Sequence, residues 1–137
     1  MQIVTLGPKG TFSEEAALIY QQRITGTTAP EKIRFLNILD CLEQVEAHKA
    51  DRAVLPAENM VDGIIGNSFD ALIEFHDFVK VCDEVHVSIE FVLAGQMDSP
   101  DQIKQILSHP SALNQCARNL ETLFPTPLQV PVSSTAE

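Results

Sequence analysis

Apolar and polar positions along this chain follow two different periods, and the changes between them mark out the elements. Residues 2–6 (QIVTL) are a short apolar run stopped by Gly7-Pro8, which predicts a strand feeding a turn. Thr11 followed by Glu14 has capping-box spacing and opens a helix through Phe12, Ala16, Ile19 and Tyr20. A polar loop at 25–32 leads to a strand at 33–36. A helix then starts near Asp40, with Leu42 and Val45 inward and Glu43, Gln44 and Lys49 outward. Residues 52–56 (RAVLP) read as a buried strand. Gly63 to Phe75 reads as a helix with Ile65, Phe69, Leu72 and Ile73 on one face.

Over residues 79–93 the period changes from 3.6 to 2. Val85, Val87, Ile89, Phe91 and Leu93 alternate with Glu84, His86, Ser88 and Glu90, the pattern of a half-buried strand. A helical turn at Gln102–Gln105 and a strand at Ile106-Leu107 follow. Residues 111–124 then place Leu113, Cys116, Ala117, Leu120, Leu123 and Phe124 on one helical stripe. A last strand at 128–132 runs into Ser133-Ser134-Thr135. Repeated βα units of this kind predict an α/β fold, an open sheet with helices on its faces. A crossing between two lobes is expected near residues 76–80, giving units of 1–78 and 79–137.

Composition narrows the partners. The 137 residues carry 9 Lys+Arg against 19 Asp+Glu, a formal charge of −10, with no cluster of basic residues. That balance excludes a nucleic-acid surface. No apolar run approaches the roughly 18 residues of a membrane span, and MQIVTLGPKG is no signal peptide, so a soluble cytoplasmic protein is expected. Cys41, Cys82 and Cys116 are odd in number, far apart and flanked by apolar residues, the usage of buried thiols in a reducing compartment.

Candidate chemistry gathers at turns where a strand gives way to a helix. These are Gly7 to Ser13, Pro56 to Gly63, Ser108-His109-Pro110-Ser111, and Ser133-Ser134-Thr135. In open α/β sheets, ligands bind outside the carboxyl ends of strands, where helix amino termini offer unpaired N–H groups and positive partial charge. Together such turns suit a small anion. Singly, Thr11, Ser13, Ser111 and Ser134 are better read as caps, Asn59 as a turn residue and Glu58 as a solvated carboxylate. His109 is either catalytic or bonded to nearby backbone, the second being commoner. No metal site is expected: Cys82 and His86 lie four residues apart on a strand, roughly 13 Å, too far for one zinc. The GPKG turn lacks the spacing of a dinucleotide site or a P-loop.

The same four turns, in order, resemble a known family. Leu6-Gly7-Pro8-Lys9-Gly10-Thr11-Phe12-Ser13-Glu14-Glu15-Ala16-Ala17 is similar to the opening motif of prephenate dehydratases. Pro56-Ala57-Glu58-Asn59-Met60-Val61-Asp62-Gly63 resembles their Pro-x-Glu-Asn-Ser-x-x-Gly segment. Ser108-His109-Pro110-Ser111-Ala112-Leu113-Asn114-Gln115-Cys116 resembles Ser-His-Pro-Gln-Ala-Leu-x-Gln-Cys, and Ser134-Thr135-Ala136 resembles Ser-Thr-Ala.

The resemblance implies a two-lobed fold of open sheets like type II periplasmic binding proteins, with substrate in the cleft between lobes. It implies loss of water and carbon dioxide from prephenate, a dicarboxylate, to give phenylpyruvate for phenylalanine synthesis, with no metal or organic cofactor. By the same resemblance Asn59, Thr11 and Ser13 are the catalytic candidates. Glu58, Gly63, Ser108, Ala112, Leu113, Ser134 and Thr135 are the substrate-binding ones. Three departures accompany it: Met60 stands where the family has Ser or Thr, Ser111 replaces a Gln, and no Thr-Arg pair matches the family's Thr-Arg-Phe motif. The expectation is therefore the amino-terminal portion of such a domain with its second lobe incomplete, forming a homo-oligomer, by segment exchange if the uncovered strand edge pairs. The competing expectations are a prephenate decarboxylase that does not aromatise, and a non-catalytic small-anion-binding relative.

Overall fold

The computed structural model describes residues 1–61 and 63–133. Among them are seven strands and four α-helices. In chain order these are β1 (Ile3–Leu6), α1 (Phe12–Thr25), β2 (Ile33–Leu36), α2 (Ile38–Glu46), β3 (Arg52–Val54), β4 (Glu58–Asn59), β5 (Gly63–Ile64), α3 (Gly66–Glu74), β6 (Gln105–Ser108), α4 (Pro110–Leu123) and β7 (Leu128–Pro131). They fall into two compact units, Met1–Ser88 and Ile89–Glu137. The fold class is α/β with parallel sheets.

In the first unit β1 lies between β2 and β3, parallel to both, with Ile3 opposite Ile33 and Arg52. Ile3, Val4 and Thr5 have no solvent exposure, as a strand covered on both faces requires. Successive side chains go to opposite faces. Ile3 packs with Ala17 and Tyr20 of α1 and with Ile33, whereas Val4 packs with Cys41 of α2 and with Ala50. Fully burying one such aliphatic side chain contributes about 1.5–3 kcal/mol. The buried Gln21 is satisfied by the following loop: its Oε1 accepts from the Ala29 N–H at 2.6 Å, and its amide donates to the Ala29 carbonyl at 3.4 Å. In the second unit β6 and β7 pair in parallel, and Ile106 packs with Leu113 and Leu120 of α4.

The structure corrects several expectations. Helix α2 begins at Ile38 rather than near Asp40, because the Asn37 side chain accepts from the Asp40 N–H at 2.8 Å and caps it. Residues 63–75 are not one helix. Gly63, with φ of 75°, and Ile64 form β5 of a short hairpin, and α3 starts only at Gly66. Its buried positions are Ser68 and Ala71; of the expected apolar face, Phe69 and Ile73 are 42% and 69% exposed, while Ile65 and Leu72 are half-buried. The expected helical turn at Gln102–Gln105 is a 3-10 turn at Pro100–Gln102.

Residues 79–93 hold no strand, although half-buried Val85, Val87, Ile89 and Phe91 do alternate with exposed neighbours. The period was legible there, but no ladder forms among the described residues. Only Cys41 is a fully buried thiol; Cys82 is exposed and Cys116 half-buried.

Candidate functional site

Because β1 and β3 are parallel neighbours, the turns leaving their carboxyl ends leave the same edge of the sheet. That edge carries Thr11 and Ser13 after β1, and Glu58, Asn59 and Gly63 after β3. The β1 turn contains a cis Gly7-Pro8 bond and Gly10 with φ of 85°. Gly7 has little room for a side chain: a Cβ there would stand 3.1 Å from the Phe35 Cβ, which would have to give by a few tenths of an ångström. The close approach lets the Gly7 N–H reach the Leu36 carbonyl at 3.2 Å and prolong the sheet by one bond.

The expected capping box is only half made. Thr11 occupies the N-cap of α1, but its hydroxyl donates back to the Pro8 carbonyl at 2.9 Å instead of capping the helix. Glu14 does reach back, and its carboxylate accepts from the Gly10 N–H at 2.7 Å, one residue earlier than the box requires. Glu14 and Glu15 both lie in the first turn of α1, so this amino terminus is already served by negative charge from its own chain. It is the poorest of the helix starts for an external anion. The first turns of α3 and α4 contain no acidic residue.

Asn59 takes the turn role: its Oδ1 accepts from the Val61 N–H at 2.9 Å, turning the chain from β4 into β5. At the tip of this hairpin Met60 is fully exposed, at 101%.

In the second unit, parallel pairing of β6 with β7 brings Ser108 opposite Pro131, and the Val132 N–H donates to the Ser108 carbonyl at 3.0 Å. The Ser108-His109 turn and the residues following β7 thus leave one edge of this sheet together. His109 is the N-cap of α4, its Nδ1 accepting from the Ser111 N–H at 3.2 Å. That bond requires a ring nitrogen without a proton, which places the imidazole proton on Nε2. Pro110 at the first helical position has no N–H to satisfy. Ala112 and Leu113 are buried, Leu113 against Ile106 and Leu120, so both support α4 from its core side. Ser134 and Thr135 lie outside the described residues.

The structure therefore brings Thr11, Ser13, Glu58, Asn59 and Gly63 to one sheet edge, and Ser108 with the start of α4 to another. A recess of about 260 Å³ in the second unit is lined by Leu93, Met97, Pro100, Ile103 and Phe124, and no candidate residue borders it. No group of three or more His, Cys, Asp or Glu side chains is placed to hold a metal ion among the described residues. Cys41 is no nucleophile: burial, with Asp40 adding, pushes its thiol up to about 12. Among the described residues no helix is long and apolar enough to cross a membrane.

Sequence reasoning missed Asn37 as a cap and the role of Arg23, whose partner Asp83 lies 60 residues away. The Asn-x-x-Asp spacing at 37–40 was an available signal for the first; no local pattern signals the second.

Comparison with known proteins identifies the family. The family model described as prephenate dehydratase matches residues 3–137. A bifunctional chorismate mutase/prephenate dehydratase of Aquifex aeolicus is 32% identical over 137 residues, covering 100% of this chain and 36% of that protein. A prephenate dehydratase of Methanocaldococcus jannaschii is 36% identical over 110 residues, covering 80% of this chain and 38% of its own length. The crystal structure of a prephenate dehydratase from Arthrobacter aurescens in complex with L-Phe superposes with a TM-score of 0.74 at 30% identity, over 99% of this chain and 44% of that one. The chain thus spans about a third of the length of the curated relatives it matches. A match running from Ile3 to Glu137, through all four turns, means that the chain belongs to the prephenate dehydratase family.

Proposed function

We propose that this chain acts on prephenate as the family does, removing water and carbon dioxide to leave phenylpyruvate, in the cytoplasmic synthesis of phenylalanine. The observation that carries this reading is the continuous family match over residues 3–137, within which the four polar turns keep their order. Loss of carboxylate and hydroxyl from prephenate generates an aromatic ring, so the reaction is driven by its product. The protein's part is to orient the two leaving groups and ease departure of the hydroxyl.

In this reading Asn59, Thr11 and Ser13 stand nearest the departing hydroxyl, with Glu58 and Gly63 shaping the same edge. The uncapped start of α3 and the acid-free start of α4 fit a carboxylate better than the start of α1 does, because Glu14 already holds the Gly10 N–H. Ser108 would contribute a hydroxyl beside α4, Ala112 and Leu113 would hold that helix in place, and Ser134 and Thr135 would close the second edge. The two units would correspond to the lobes of a fold like type II periplasmic binding proteins. The alternating segment at 79–93, which forms no ladder among the described residues, supports a homo-oligomer, formed by pairing or exchange of that segment.

One observation favours a second reading. Met60 replaces a hydroxyl residue and is fully exposed, which fits a relative that binds prephenate without aromatising it. Incubation of the purified chain with prephenate at neutral pH separates the two. Enzyme-dependent phenylpyruvate, lost in Asn59→Ala, is the expected outcome. A non-aromatic decarboxylated product, or calorimetric binding without turnover, would replace the first reading by the second. Neither binding nor conversion would sink both.

A further inference from the structure

The segment that leads from the first unit towards the second has side chains alternating in and out with no ladder on it among the described residues. In a paired strand, hydrogen bonds to the neighbour fix which side chains face the core, and a slip of one residue would turn every one of them over. Here something else must fix that phase. Side-chain contacts at residues 82–85 tie this segment to the first unit, and they converge on α1.

Arg23, in the last turn of α1, is the centre of this attachment. Its Nη1 alone donates to both carboxylate oxygens of Asp83, at 3.1 and 3.0 Å, and to the Glu84 carbonyl at 3.0 Å. One turn earlier on the same helix, the Tyr20 hydroxyl meets the Cys82 Sγ at 3.8 Å. Val85 then packs against the cluster of Ile3, Ala17, Tyr20 and Ile33. Asp83 also accepts from the Glu84 N–H at 2.8 Å, so the carboxylate that Arg23 grips is itself braced against its own backbone. From Val85 onward the pattern runs half-buried, exposed, half-buried, exposed through Ser88.

We propose that Arg23 is a positioning residue for this connecting segment: by holding the Asp83 carboxylate and the Glu84 carbonyl together, it fixes which of residues 85–88 face inward. An ion pair alone, with side chains 46% and 35% exposed, would be weak. The carbonyl contact changes its character, because it ties the backbone as well as a side chain. A carbonyl held at residue 84 fixes the peptide plane from which Val85 leaves, and so the side on which the alternation starts. The inference concerns the first unit only and stands apart from the reaction proposed above.

The test introduces a thiol at one of two adjacent positions, Val87→Cys or Ser88→Cys, and follows alkylation by N-ethylmaleimide with peptide-resolved mass spectrometry. With Arg23 present, the thiol at position 88 should react at least about threefold faster than that at 87, because access governs the rate. In Arg23→Ala the ratio should fall to near one. Arg23→Lys should restore it, since a single nitrogen makes all three contacts and an ammonium group supplies three donors. A ratio that survives Arg23→Ala, or that Lys fails to restore, overturns the proposal. If Arg23→Ala loses its far-UV helical signal, Asp83→Asn carries the test instead: a ratio reduced towards one supports the proposal, and an unchanged ratio overturns it.

Discussion

Ser68 sets up a mutation that should stabilise the protein. It lies in the first turn of α3, is only 1% exposed, and its hydroxyl has no hydrogen-bond partner among the described residues. Leaving a buried hydroxyl unpaired costs about 1–3 kcal/mol. Serine is also about 0.5 kcal/mol poorer than alanine as a helix former. Against these gains, Ser68→Ala removes one oxygen's dispersion contacts, each worth about 0.1–0.2 kcal/mol and together about 1 kcal/mol at most. The net expectation is a stabilisation of about 1–2 kcal/mol. For a unit of this size that raises the melting temperature by about 5 °C or more. Circular dichroism melts of the two proteins, repeated in urea, measure it. A melting temperature that falls or stays put would show that the hydroxyl has a partner in solution, and the reasoning would fail.

Three further outcomes follow from contacts already described. Burial lifts the Cys41 thiol from an ordinary value of 9.0 to about 12, so the fold favours its protonated form; stability from this source is intact below about pH 9 and is lost as pH rises from there towards 12. Alkaline denaturation of Cys41→Ala against the parent should show a smaller loss over that window. His109→Ala should cost about 1 kcal/mol by uncapping α4, while His109→Asn keeps an acceptor and should recover most of it in urea titrations. Gly7→Ala should destabilise by about 1–3 kcal/mol, because its Cβ would stand 3.1 Å from that of Phe35; a neutral result would mean that β2 yields at no cost.

Those contacts also show where sequence reading succeeds and where it stops. Strands β1 and β2 and helix α4 were legible nearly to the residue, because each is a short apolar run or a clean helical stripe bounded by Gly, Pro or a polar cap. The helix expected from Gly63 failed for a local reason. Asn59 bends the chain into a hairpin that consumes Gly63 and Ile64, and an apolar residue at hairpin spacing counts equally well as a helical one. Over residues 85–91 the pattern gave the correct sides, though Leu93, expected inward, is exposed, and it did not give the pairing, since alternation reports burial and says nothing of a hydrogen-bonding neighbour. The polar turns were found as candidates, but the chain's own use of them was hidden. Whether Glu14 takes Gly10, or His109 takes Ser111, depends on geometry that the spacing of residue types leaves open.

The order β2-β1-β3 has a consequence in time. Of the three strands in this sheet, the one that must end in the middle is the first to be synthesised, with Ile3, Val4 and Thr5 all destined for complete burial. Its first partner arrives some thirty residues later at Ile33, and its second only with Arg52, which pairs with the same Ile3. Until then, a segment with both faces apolar has nothing to cover it, and parallel pairings reward the chain only after their long loops have closed. Helix α1, which follows within a few residues and carries Ala17 and Tyr20, is the one element available early enough to shield Ile3. The face carrying Ala17 and Tyr20 thus serves the nascent chain before it serves the finished sheet.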